Sequence, residues 1–330
     1  MPASFKRFLA FSLLITPATM PAQGAQRTFV VVADSIPGTV PAAAAAIASA
    51  LGRSGWTVLA DHPVGVDAAR CAYAGRVVVA AHPGHTAALF AKGATAAFAA
   101  PVRLAVFEDE RGVHAAVVNP LSLERTMVAE AGLEGSGRSL VADLSGVVAS
   151  ATKGRATHRP YGQSRDRGLI GKTMGVMAGG PFAGQLETLL TAPGSTPEDV
   201  RRVADGIAQR LQRPAEGEWK LRQVYRLDLP AQGAVVFGVS GAPMEAKAFS
   251  IVGAGDDDAR SGFKCPGLAY AAAFPIEVVV RRDQGMVRVE AINAMFRMKM
   301  YFEDAGRMKF ARNMMMPGSI AKELKAAVAP

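Results

Sequence analysis

Residues 101–119, PVRLAVFEDERGVHAAVVN, return as residues 275–293, PIEVVVRRDQGMVRVEAIN. Each stretch has a proline, an alternating strand, a charged turn ending in glycine, a second strand and an asparagine. Two such runs around a Gly-bearing turn predict a β-hairpin. The copies lie 174 residues apart at the proline and the asparagine, and 173 apart at the turn glycine. A repeat of this length confines the chain to folds made of two like units.

The correspondence extends on both sides of the hairpin. Downstream, Ala129-Glu130-Ala131-Gly132 matches Glu303-Asp304-Ala305-Gly306 at the same offset. Upstream, VVVAAHPGHTAALF from Val77 matches VVFGVSGAPMEAKAF from Val235: a strand, a small-residue turn and a helix start. Helix-strand pairs ending in strands that start at Trp56 and Trp219 match in turn.

In the first copy, residues 28–33 read as a strand and residues 41–51 as an alanine-rich helix, with Pro41 near its start and Gly52 at its end. Strands at 56–60 and 76–81 and a short helix at 84–91 precede the hairpin. In the second, residues 172–177 read as the first strand. A helix follows from Thr196-Pro197-Glu198-Asp199, a capping residue with proline and acid in the first turn. Val200, Val203, Ala204, Ile207 and Leu211 share one face of it. Hairpins mixed with helices predict an α+β fold with largely antiparallel sheets.

The strand-turn-helix VVVAAHPGHTAALF and the strand pair ending AVVNP resemble the DUF302 domain, a small α+β domain of uncharacterised function. The resemblance covers most of residues 28–130 and, more weakly, 172–305. Family members usually carry an Asn-Pro type turn where this chain has His82-Pro83, and Ser240-Gly241 in the second copy. The resemblance implies a curved antiparallel sheet backed by helices in each copy. Single-domain members are held to pair, so two fused copies would form an internal pseudo-dimer, with a homodimer of the whole chain left open. It carries no activity.

The chain opens with Lys6 and Arg7, an apolar run over residues 8–15 and small residues before a cleavage point after Gly24 or Ala25. This is the layout of a secretory leader, too short to span a membrane. The expected organisation is a leader over 1–25, a first domain over 26–150, a basic linker over 151–168 and a second, more divergent domain over 169–330. Such a protein would work in the periplasm or outside the cell. Past the leader no apolar run reaches the ~18 residues of a membrane span. Half the residues are apolar, which excludes a disordered chain. Losing Lys6 and Arg7 lowers the net charge from +9 to +7, spread rather than patterned, so nucleic acid is not an expected partner.

Seven of the fourteen methionines lie between residues 295 and 316. Read as a strand, Met298 and Met300 would share a face with Phe296 and Phe302. Thioethers are soft ligands that select Cu(I), so Met298, Met300, Met314 and Met316 form one candidate metal set, with copper as the cofactor. The alternative is that these side chains fill core or a partner-facing groove. His82 and His85, in His-Pro-Gly-His, are a second candidate set, with His62, Asp61 or His114 as distant third ligands. Cys71 and Cys265 occupy non-equivalent positions, and their pairing stays open.

Gly168–Thr173 lacks the glycine spacing of a phosphate loop, and the acids at 256–258 lack that of a calcium loop. Hydrolase elbows, zinc-protease helices and C-x-x-C pairs are absent from the chain. The expectation is an exported, non-catalytic binding or accessory protein that meets an envelope partner or a small ligand. Its alternatives are a copper-binding protein and an enzyme using His82, His85, Glu303 or Asp304 in the interdomain cleft.

Overall fold

A computed structural model describes residues 26–128, 133–165, 169–170, 180–252, 262–302 and 307–330. The leader, the strand expected at 172–177, the acids at 256–258, and Glu303 and Asp304 lie outside them. The first unit runs β1 (Gln26–Ile36), α1 (Val40–Arg53), β2 (Thr57–Pro63), β3 (Gly75–Ala81) and α2 (Pro83–Phe90). A 3-10 segment (Ala94–Ala99), β4 (Pro101–Asp109), β5 (Gly112–Val118), α3 (Pro120–Met127), α4 (Glu134–Thr152) and β6 (Arg155–Arg165) complete it.

A small pair, β7 (Leu169–Ile170) and β8 (Gly180–Pro181), leads to the second unit. There follow β9 (Leu186–Pro193), α5 (Pro197–Leu211), β10 (Arg222–Leu229), β11 (Ala234–Ser240) and α6 (Ala242–Ile251). After a 3-10 segment (Pro266–Ala273) come β12 (Ile276–Asp283), β13 (Met286–Ile292), α7 (Ala294–Phe302), α8 (Arg307–Arg312) and α9 (Met316–Val328).

The two large sheets have the orders β2-β3-β4-β5-β1-β6 and β10-β11-β12-β13-β9. Every pairing in them is antiparallel. Without β6 the orders coincide strand for strand, so the fold is α+β with one sheet topology used twice. The strand expected at 172–177 falls outside the described residues, and one expectation is corrected. The place of the second unit's first strand is held by β9, beside β13 as β1 is beside β5. The basic stretch expected as a solvated linker is β6, paired along β1 from Arg165 to Arg155. Its Arg, His, Pro and Gly residues suit an edge strand whose outer rim meets water.

The start signal of α5 acts as read, whereas Gly52, expected to end the first helix, lies inside α1, which runs to Arg53. Thr196 and Asp199 form a reciprocal capping box at the start of α5. Asn119 Oδ1 accepts from the Leu121 N–H at 3.2 Å, and Asn293 Oδ1 accepts from the Met295 and Phe296 N–H groups at 3.1 and 3.2 Å. The asparagine closing each hairpin thus caps the next helix.

Alternation underestimates burial. In β4, Val102, Leu104 and Val106 pack under α1 and α4, while Arg103, Ala105 and Phe107 are equally buried on the other face. That second face is covered by the other unit, which is why VVVAA and LAVF are unbroken apolar runs. The Pro266–Ala273 segment lies across β3, β4 and β5, and the Ala94–Ala99 segment lies against β11 and β12. Alanine side chains let each backbone approach the opposing sheet, and Ala269, Ala271, Ala272 and Ala273 are fully buried.

Further links cross this junction. Cys71 and Cys265 form a disulfide, with Cα atoms 5.6 Å apart. Phe29 stacks on Tyr161 at 5.2 Å and meets Tyr270 edge-on at 5.3 Å. The Tyr161 hydroxyl donates to the Ala269 carbonyl. Gly65 passes against the Ala242 backbone so closely that a Cβ there would collide with the Ala242 carbonyl and Cα. Among the described residues no helix is long and apolar enough to cross a membrane.

Gly65→Ala should therefore destabilise the protein by about 1–3 kcal/mol through overpacking. Gly52→Ala, in helix α1 with nothing within 4 Å of the added carbon, should stabilise it by about 0.5–1 kcal/mol. Urea midpoints of the two variants check both signs.

Candidate functional site

Because Asn293 caps it, the methionine-rich segment starts as helix α7 rather than as a strand. Residues two apart on a helix are about 200° apart, so the shared face expected for Met298 and Met300 is not formed. Met300 is buried, Met298 is half-buried, and Met314 and Met315 are exposed. Of the proposed copper ligands, Met298 and Met316 line one cavity, and Met300 and Met314 are not part of its wall.

That cavity, of about 80 Å³, lies among the sheet residues Leu189, Ile276 and Ala291 and helices α6, α7 and α9. The wall is almost wholly apolar: Val252, Phe274, Met298, Phe302, Met316 and Ile320 are representative. Its charged or amide members are Glu187, Arg297 and Asn313. The half-exposed Glu187 belongs to β9, whereas Arg297 on α7 is only 5 % exposed.

Arg297 connects the cavity to a buried charge cluster between the units. Its Nη2 donates to the Ala273 and Pro275 carbonyls, the latter at 3.0 Å. Its Nε stands 3.6 Å from Glu277 Oε2, too far for a hydrogen bond, and neither atom makes another. Glu277 Oε1 instead accepts from Arg103 Nη1. Arg103 also donates to the Tyr301 hydroxyl at 2.7 Å and to the Pro275 carbonyl at 3.2 Å. Both guanidiniums lie over the Tyr301 ring, at 5.1 Å for Arg103 and 5.0 Å for Arg297.

Two arginines thus share one carboxylate in a water-poor interior. Burial, reinforced by the like charge of Arg103, lowers the Arg297 pKa to about 9. Burial also raises the pKa of Tyr225, whose hydroxyl finds no hydrogen-bond partner among the described residues. Sequence reasoning missed this cluster, although a signal was present. Arg103 and Glu277 are 174 residues apart, the offset of the repeat, and each interrupts the apolar run that follows the hairpin proline.

Among the described residues, His82 and His85 meet no third metal ligand. His82 Nδ1 accepts from the His85 N–H at 3.1 Å, capping α2, and the His82 ring packs against Trp56 at 4.9 Å. His85 is buried beneath it. The proposed third ligands are engaged elsewhere: Asp61 with Arg76 at 2.6 Å, His114 with Asp109 at 2.9 Å and His62 with Glu245 at 2.9 Å. Among the described residues no three His, Cys, Asp or Glu side chains come together.

His62, Glu245 and Ser240 do meet across the unit junction. Fully buried Glu245 accepts from the Ser240 hydroxyl and, at 2.6 Å, from the Gly65 N–H. The serine donates to the carboxylate, and His62 meets that same carboxylate rather than the serine. The trio works as a strap from β2 to α6.

Burial, reinforced by the neighbouring His82, lowers the His85 pKa to about 4, outweighing the backbone hydrogen bond at Ala99. The folded state then binds fewer protons than the unfolded state between about pH 4 and 6.5. Stability should fall by on the order of 2 kcal/mol as pH drops through that window. His85→Gln should flatten this part of the profile, as measured by urea denaturation at successive pH values.

Comparison with known proteins bears on the first unit. Residues 33–151 match the family model described as "Domain of unknown function DUF302". Among solved structures, one titled "Crystal structure of uncharacterized conserved protein DUF302 from Bacillus stearothermophilus" is 14 % identical, with a TM-score of 0.27. The match covers 38 % of this chain and 94 % of that one. No curated protein matches. The family match thus falls within the first unit.

Proposed function

We propose that this is a non-catalytic binding protein of the cell envelope, built from two DUF302-like units, whose second unit holds a small apolar ligand. The carrying observation is the cavity walled by Met298, Met316 and Ile320, apolar on nearly every side and reached by one buried cation. The coincident strand orders support a second DUF302-like unit. The Lys6-Arg7 leader pattern supports export, and the Cys71–Cys265 bond suits an oxidising compartment. Apolar cavities of about 150 Å³ accept benzene; this one, at about 80 Å³, suits a ligand end of a few carbon atoms.

A metal reading has one observation in its favour, the two thioethers of Met298 and Met316 on a single wall. One set of titrations separates the two. The chain from residue 26 onward should bind 1-hexanol saturably at one site in heteronuclear NMR, and Ile320→Trp, which fills the cavity, should weaken it at least tenfold. Absence of saturable binding contradicts the apolar-ligand reading. Stoichiometric Cu(I) binding lost in Met298→Ala/Met316→Ala would put the metal reading in its place. Export predicts a mature N-terminus near residue 25 and no free thiol, which N-terminal mapping and thiol titration of envelope fractions check.

A further inference from the structure

We infer that the ligand of the second-unit cavity is a short-chain monocarboxylate whose carboxylate pairs with Arg297; this rests on the apolar-ligand reading above and specifies its chemistry. Charge balance is the starting point. Among the described residues of this cluster, Arg103 and Arg297 share the single carboxylate of Glu277, and Arg103 holds its closer oxygen. An uncompensated buried charge is costly, and an anion beside it relieves that cost.

Geometry gives the anion its place. The Arg297 side chain is more than nine-tenths buried and lines the cavity, yet only its Nη2 makes hydrogen bonds, both to backbone carbonyls. Nε and Nη1 make none among the described residues, so part of the guanidinium fork is unspent. A planar fork with free N–H groups suits a carboxylate, which accepts two parallel bonds. Beyond it the wall is hydrocarbon and thioether, which suits an alkyl chain. The cavity volume of about 80 Å³ limits that chain to a few carbons inside the protein. The Glu187 carboxylate, also on the wall and half-exposed, disfavours a second negative charge on the ligand, hence a monoanion.

The repeat shows that this chemistry is particular to the second unit. At the repeat offset Arg297 corresponds to Leu123 and Met298 to Glu124. The pairing of Arg297 with Met298 thus has no counterpart at the matching positions of the first unit.

The test compares ligands of equal chain length on the intact mature protein: hexanoate, 1-hexanol and hexylamine, followed by NMR shift titration at neutral pH. Hexanoate should bind about ten- to a hundredfold more tightly than hexanol, as expected for a hydrogen bond to a charged group, and hexylamine more weakly than either. Ile320→Trp should abolish hexanoate binding. In Arg297→Lys, checked for folding by circular dichroism, the hexanoate-to-hexanol ratio should shrink several-fold. Equal binding of hexanoate and hexanol, both lost in Ile320→Trp, would overturn the carboxylate inference while leaving the apolar site standing. Tighter binding of hexylamine would overturn it too. Failure of all three ligands to bind would remove both readings.

Discussion

The contact on which the arrangement of the two units depends is the buried ion pair between Arg103 and Glu277. Both residues sit two positions after the proline that opens the hairpin of their copy, so positions related by the repeat meet each other across the junction. In a dimer of identical units such a position would meet itself, placing arginine against arginine or glutamate against glutamate. Opposite charges there make the two units of one chain complementary and each unit repulsive to its own kind. Loss of Glu277 would leave Arg103 and Arg297 buried without their shared carboxylate, which costs several kcal/mol. A mutual dependence of the two units follows from that one pair.

The other junction features follow the same logic. Each sheet has one face under its own helices and the other under the partner unit, so neither sheet is half-solvated. Alanine-rich 3-10 segments are exchanged across the junction, and the Cys71–Cys265 bond and the Glu245 strap hold loops that would otherwise be free to separate. With the junction secured, the copies could diverge at its margin. The second unit placed Arg297 where the first has Leu123, and opened an apolar cavity beside it. The cavity proposed to bind a ligand therefore sits at the edge of the structural charge cluster, and Arg297 belongs to both.

Much of this architecture could be read from residue order. The hairpins, the Thr196 cap, helix α5 and the repeated strand order are local or periodic features, and the structure displays them where the residues place them. Three features were not legible. The stretch 155–165 has linker composition, and only β1 beside it makes it a strand. Met298 and Met300 alternate as strand residues do, but the Asn293 cap starts a helix and parts them. Arg297 is one arginine among many until the fold buries it against a carboxylate from another strand. Long-range burial decides all three, and periodicity does not record it.

Trp56 and Trp219 lie in different units, each just before the second strand of its copy, so each can report on one unit. The most direct measurement follows urea unfolding of Trp56→Phe and Trp219→Phe proteins by tryptophan fluorescence, with and without Glu277→Gln. With Glu277 present the two reporters should lose structure in one coincident transition. Glu277→Gln, which leaves two buried arginines unpaired, should cost about 3–5 kcal/mol and draw the two transitions apart. Coincident transitions at an unchanged midpoint in the Glu277→Gln proteins would show that the ion pair does not couple the units.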